Sequence, residues 1–189
     1  NVTLFEASEA LGGQVRLAQK LPGRSEFGGV ITNLQNELEK SSVFVKLNTK
    51  VSSKLIAVME ADAIVLATGA KPNKKELANA DEAHVANAWQ VLEGYLNLGT
   101  RVVIADWRCD WVGLGLAERL ARDGCHVRLA VNGMVAGQSI PQYARDKWLG
   151  DLHKLNVEII THVRLYGADS DDAYFQHVLS GEPVLLKDV

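Results

Sequence analysis

RVVIADWRCDWVGLGLAERLARDGCHVRLAV, residues 101–131, is the stretch that decides the fold. Its β-branched opening, residues 101–105, reads as a strand. Residues 113–122 carry helical spacing and close on Asp123-Gly124, where glycine suits the left-handed cap. Residues 126–131 form the next apolar run. A strand, a helix and a strand at this spacing make the repeating unit of a parallel sheet with crossover helices.

The pattern extends in both directions. Downstream, residues 141–155 read as a helix with Tyr143, Trp148, Leu149 and Leu152 on one face, and residues 157–160 as a strand. Beyond His162 the pattern weakens, and residues 168–172 read as a solvated acidic turn. Upstream, Val2 to Phe5 is a strand. Residues 26–40 are amphipathic, with Phe27, Val30, Ile31, Leu34 and Leu38 at helical spacing. Residues 43–47 and 63–66 read as strands, and residues 87–95 as a short helix, with Gly99 ending the connection after it. The polar break at 71–80 is the expected domain boundary or a crossing strand. The fold class is therefore α/β, two Rossmann-like doubly wound units of the FAD/NAD(P)-binding type, residues 1–75 and 76–189. Asn1 opens directly into a strand and residues 185–189 read as an unfinished strand or turn, so truncation at both ends is expected.

Bulk properties narrow the function. Charge is mixed, with a net of −3 and no long runs, which disfavours nucleic acid and membrane surfaces as partners. No apolar stretch reaches the roughly 18 to 20 residues of a spanning helix, and a cytoplasmic location is expected. Cys109 and Cys125 are too few for a disulfide framework and lack the spacing of a metal site; both read as buried or half-buried thiols. His84, His126, His153, His162 and His177 are scattered, so neither a metal centre nor a catalytic set is assigned.

Three local features carry chemistry. Glu6 ends the first strand, where a dinucleotide fold places an acid for ribose hydroxyls. Leu11-Gly12-Gly13-Gln14 offers paired glycines that let backbone approach a phosphate, with a side-chain donor beside them. Ala67-Thr68-Gly69-Ala70 follows an apolar run as a tight turn able to pass against a nucleotide. Taken in this order, and followed by a second α/β unit, they resemble the NADH:flavin oxidoreductases, the group of trimethylamine dehydrogenase and 2,4-dienoyl-CoA reductase. Residues 105–118 are similar to those of bacterial demethylases acting on N-methylproline or dimethylglycine. The resemblance implies a larger polypeptide whose N-terminal barrel carries FMN and a 4Fe-4S cluster and performs the substrate chemistry. It also implies a glycine-rich phosphate loop upstream of Asn1. On this basis adenine dinucleotide, FAD or ADP, is the expected ligand of the first unit. Glu6 would meet its ribose, Gly12, Gly13 and Gln14 its diphosphate, and Thr68 and Gly69 would flank it. The barrel of the same polypeptide is the expected partner, and the 189 residues alone are expected to be inactive.

The second unit departs from the pattern. Gly113, Ala117 and Glu118 match the end of a dinucleotide fingerprint, but Trp107, Arg108, Cys109, Asp110 and Trp111 stand where two earlier glycines belong. Asp106 and Asp110 would repel a pyrophosphate, and Asn132 replaces the ribose-binding acid. A vestigial structural unit and a working NAD(P) site, with Arg108 binding phosphate, both remain readings. A non-catalytic scaffold is the alternative for the whole chain. Arg108 could also lower the pKa of Cys109 and make it reactive, and Trp107 and Trp111 could form an exposed docking pair or belong to the core.

Overall fold

The structure, a computed structural model, describes residues 1–73 and 76–189. It contains two compact units, residues 1–71 and 72–189. The expected boundary between residues 75 and 76 falls beside Lys74 and Lys75, which lie outside the described residues. Among the described residues, no helix is long and apolar enough to cross a membrane.

Unit 1 runs β1 (Val2–Phe5), α1 (Val15–Ala18), α2 (Phe27–Glu39), β2 (Val43–Lys46) and α3 (Ser53–Val58). β1 and β2 pair in parallel, from Val2 opposite Val43 to Phe5 opposite Lys46. Such a pair requires a crossover connection, which α1 and α2 provide. The apolar stripe of α2 is only partly covered: Ile31 and Leu38 are half-buried, whereas Val30 and Leu34 are exposed. The expected strand at 63–66 is not formed. Ile64, Val65 and Leu66 stand exposed and make no ladder, because strand-type side chains yield a strand only where a neighbouring edge supplies hydrogen bonds. The turn expected at 67–70 is likewise irregular, although Gly69 takes a left-handed φ of 69°.

Unit 2 contains α4 (Ala88–Glu93), β3 (Arg101–Asp106), α5 (Trp111–Arg122), β4 (His126–Val131), α6 (Gln142–Lys154), β5 (Glu158–Ile160), β6 (Val163–Ala168), β7 (Ala173–His177) and β8 (Pro183–Leu186). β3, β4 and β5 form a parallel sheet in that order. One core gathers Leu114, Ala117 and Leu120 of α5, Val127, Leu129 and Val131 of β4, and Leu152 of α6. Tyr143, expected on the same face as Leu152, is exposed in the first turn of α6. Helix α5 starts two residues before the sequence pattern, because the Asp110 side chain accepts from Val112 N at 2.9 Å and caps it.

A second core lies around Ala130, Val163, Ala173, Phe175 and Leu186. It belongs to an antiparallel sheet, β6-β7-β8, where the sequence pattern faded. The stretch read as unfinished at residues 185–189 includes the end of β8, which pairs with β7. A register shift sits between Leu165 and Gly167. There Ala78 adds to the sheet, its N–H donating to Tyr166 O at 3.2 Å and its carbonyl accepting from Ala168 N at 3.1 Å. Gly167 is required at this approach: an added Cβ would stand 2.5 Å from Ala78 O.

Candidate functional site

In unit 1 the first four candidate residues follow one another from the end of β1 into α1. The Glu6 amide donates to Lys46 O at 2.9 Å, which holds the residue at the strand end. Its carboxylate accepts from Ser8 N at 2.8 Å and from Ser8 Oγ at 2.9 Å, both through Oε1. These bonds favour the charged form and hold the acid below the usual carboxylate range. The chain then turns through Gly12 and Gly13, with φ of 113° and 44°, and Gln14 stands at the N-cap of α1. Both values lie where side chains are disfavoured. At Gly12 the packing adds a second restriction, since an added Cβ would come within 2.6 Å of Ile31 Cδ1.

The structure brings Gln14 and Gly69 together across the unit. A Cβ on Gly69 would lie 3.1 Å from Gln14 Nε2, so the amide of Gln14 rests directly over the glycine backbone. Thr68 and Gly69 are fully on the surface. A backbone surface, a left-handed glycine turn and a side-chain amide donor thus share one place. Such a set can bind hydroxyls and phosphate oxygens; it contains no nucleophile paired with a base.

In unit 2 the turn from β3 to α5 is dominated by carboxylates. Asp106 is buried at the end of β3, and its Oδ1 accepts from Arg108 N at 2.9 Å and Cys109 N at 3.0 Å. Its Oδ2 has no hydrogen-bond partner among the described residues and lies against Gly113, where an added Cβ would collide with it. Burial pushes the Asp106 carboxyl above the usual range, opposed by the two backbone bonds and reinforced by the Asp110 charge. Arg108 Nε lies 2.7 Å from Asp110 Oδ2.

Beside this turn is a polar cavity of about 350 Å³ lined by Arg108, Cys109, Asn132, Gly133, Gln138 and Ser139. Cys109 adopts a left-handed φ of 50°, and its thiol donates to Asn132 Oδ1 at 3.2 Å. Cys109 is buried, as the reading of a structural thiol expects, and the alternative of a thiol activated by Arg108 is disfavoured: burial pushes the thiol up, and the charges of Asp106 and Asp110 add to that shift. Cys125 is half-buried, and Trp107 and Trp111 are each half-buried, so neither a fully exposed pair nor a fully buried one results.

Asn132 was noted in sequence only for lacking a charge. Gln138 and Ser139 carried no local signal, because their place at the cavity depends on the loop after β4. Ser139 Oγ donates to Cys109 O at 2.9 Å across that loop. His162 and His177, scattered in sequence, come together with ring centres 5.9 Å apart. Among the described residues, no three His, Cys, Asp or Glu side chains converge in a way that could hold a metal ion.

No family model matches the chain. It is 32% identical over 155 residues to N,N-dimethylglycine/sarcosine dehydrogenase of Chromohalobacter salexigens, covering 76% of this chain and 22% of that protein. It is 30% identical over 164 residues to a probable N-methylproline demethylase of Rhizobium meliloti, covering 87% of this chain and 24% of that protein. Among solved structures it is similar to 2-naphthoyl-CoA reductase in complex with 2-naphthoyl-CoA, with a TM-score of 0.87 and 26% identity over 99% of this chain and 28% of that one. The chain spans about a quarter of the length of the curated relatives it matches. In sequence and in fold it is similar to one part of larger oxidoreductases.

Proposed function

We propose that the chain is the nucleotide-binding region of a larger flavin- and iron-sulfur-dependent oxidoreductase that oxidises a small amine or N-methyl amino acid, and that unit 1 holds the adenosine diphosphate portion of FAD or ADP. The observation that carries the binding role is the meeting of Gln14 with Gly69 beside a left-handed Gly12-Gly13 turn. The similarity to a dimethylglycine/sarcosine dehydrogenase and an N-methylproline demethylase supports the reaction class.

Glu6, ionised through its bonds from Ser8, accepts from ribose hydroxyls through the oxygen that Ser8 leaves open. Gly13 and Gln14 meet the diphosphate, and Thr68 and Gly69 flank it. When bound, the flavin of the parent enzyme would supply the electron acceptor of the oxidation. The residues of this chain bind and orient; the amine is oxidised in the remainder of the polypeptide. That remainder also covers the exposed apolar residues of unit 1, among them Ile64, Val65 and Leu66.

The test uses the full-length polypeptide. Nucleotide released by denaturation and quantified by chromatography should amount to about one FAD or ADP per chain, and Glu6→Ala combined with Gly69→Val should reduce it several-fold. A nucleotide-free polypeptide that also fails to take up added ADP or FAD contradicts the proposal.

A further inference from the structure

We infer that the Asp106 carboxylate is a built-in anion occupying the phosphate position of the β3–α5 turn, so that unit 2 is closed to NAD(H) and NADP(H). This rests on reading unit 2 as a module of nucleotide-binding type. In such a module the diphosphate is held by amides of the turn and of the first helical turn, and glycines allow it to approach. Here the chain supplies its own occupant. Asp106 Oδ1 takes the Arg108 and Cys109 amides, and the same carboxylate lies against Gly113 in the first turn of α5. Asp110 takes the Val112 amide.

The neighbouring groups also meet partners within the chain. Arg108 Nε lies 2.7 Å from Asp110 Oδ2, while most of its side chain stays exposed. Asn132, at the end of β4 where a ribose would be read, accepts from the Cys109 thiol. A pyrophosphate entering this turn would have to displace a buried side chain from two backbone bonds and face two carboxylates at close range. Glycine at Gly113, which in a ligand-binding module serves close approach of helix to strand, here makes room for the carboxylate. The fold survives because the occupant is covalently part of it.

The test is a titration of the ¹⁵N-labelled 189-residue chain with NADH, NADPH and inorganic phosphate, read at individual amides. Up to millimolar ligand, the amides of Arg108, Cys109, Val112 and Asn132 should not move, whatever happens at Glu6, Gly13 and Gly69. Shifts confined to unit 1, or absent from both units, therefore agree with the inference while separately deciding the reading of unit 1. Asp106→Gly should expose the turn amides and bind inorganic phosphate at least tenfold more tightly than the parent chain. Asp106→Asn, which keeps both acceptor bonds, should stay closed. Saturable shifts at those four amides in the unaltered chain overturn the inference. So does an Asp106→Gly chain that folds and gains no phosphate binding, or an Asp106→Asn chain that opens. Should Asp106→Gly fail to fold, the unaltered and Asp106→Asn titrations still decide.

Discussion

Glu118 ties the two helices that cover the parallel sheet. Its buried carboxylate accepts from Trp148 Nε1 of α6 at 2.8 Å through Oε2, and from Arg122 Nε at 3.0 Å and Nη2 at 2.9 Å through Oε1. Glu118→Ala removes all three from a buried place and should cost about 2–3 kcal/mol, measured by urea unfolding followed by tryptophan fluorescence. Glu118→Gln keeps the indole bond and should cost less; equal losses would show that the bond to Trp148 contributes nothing. Asp106 gives a pH signature of opposite kind to most carboxylates. Burial raises it above its ordinary 3.8, so as the pH rises from that value the folded chain keeps a proton that the unfolded chain has released. Stability should fall through this window until the folded carboxyl has ionised as well, with Asp110, Arg108 and Cys109 as its near titratable neighbours. Unfolding free energies measured across a pH series should lose this fall in Asp106→Asn, and parallel profiles for the two chains would contradict the assignment. At this scale the sequence was informative where signals are local. Glu6, Gly12, Gly13 and Gln14 stand within one strand and one turn, and the conflict of Asp106 and Asp110 with a phosphate was visible from their position. Gln138 and Ser139 reach the cavity only through a loop whose path no local pattern specifies.

Helix α4 illustrates an element set almost entirely by its ends. Asn87 accepts from Trp89 N and Gln90 N, Gln90 answers to the Asn87 amide, and Gly94 closes the helix at a φ of 84°. In a helix of six residues such caps are a large share of the stabilisation. Asn87→Ala should cost about 1 kcal/mol and lower the thermal midpoint, whereas Asn87→Ser should retain most of it; identical midpoints for all three chains would sink the capping argument. The alternation of strand and helix from β3 to β5 was legible because each element carries its own period and its own stop signal. The antiparallel β6-β7-β8 sheet was not. Its register shifts beside Gly167, and its acidic turn reads equally well as a surface loop. That turn is nevertheless ordered: the Asp169 side chain accepts from Asp171 N, Asp172 N and the Tyr174 hydroxyl. The strand predicted at 63–66 failed for the converse reason, since composition supplies apolar side chains but not a pairing edge.

The two units differ in how far burial sustains them. Among the described residues, Leu21 is the one hydrophobic side chain of unit 1 that is buried, while unit 2 holds two separate cores. On the proposed function these uncovered apolar side chains face the remainder of the polypeptide. That agrees with relatives of which this chain spans about a quarter. On the proposed function the chain is the nucleotide-holding part of a larger flavin enzyme, with a first unit that binds and a second closed by its own side chains. The most direct test is the mass and absorption spectrum of the native polypeptide, captured from its source cells with an antibody raised against these 189 residues. The expected product is a polypeptide several times larger than 20.6 kDa with a flavin spectrum. A colourless product of about 20.6 kDa would contradict it.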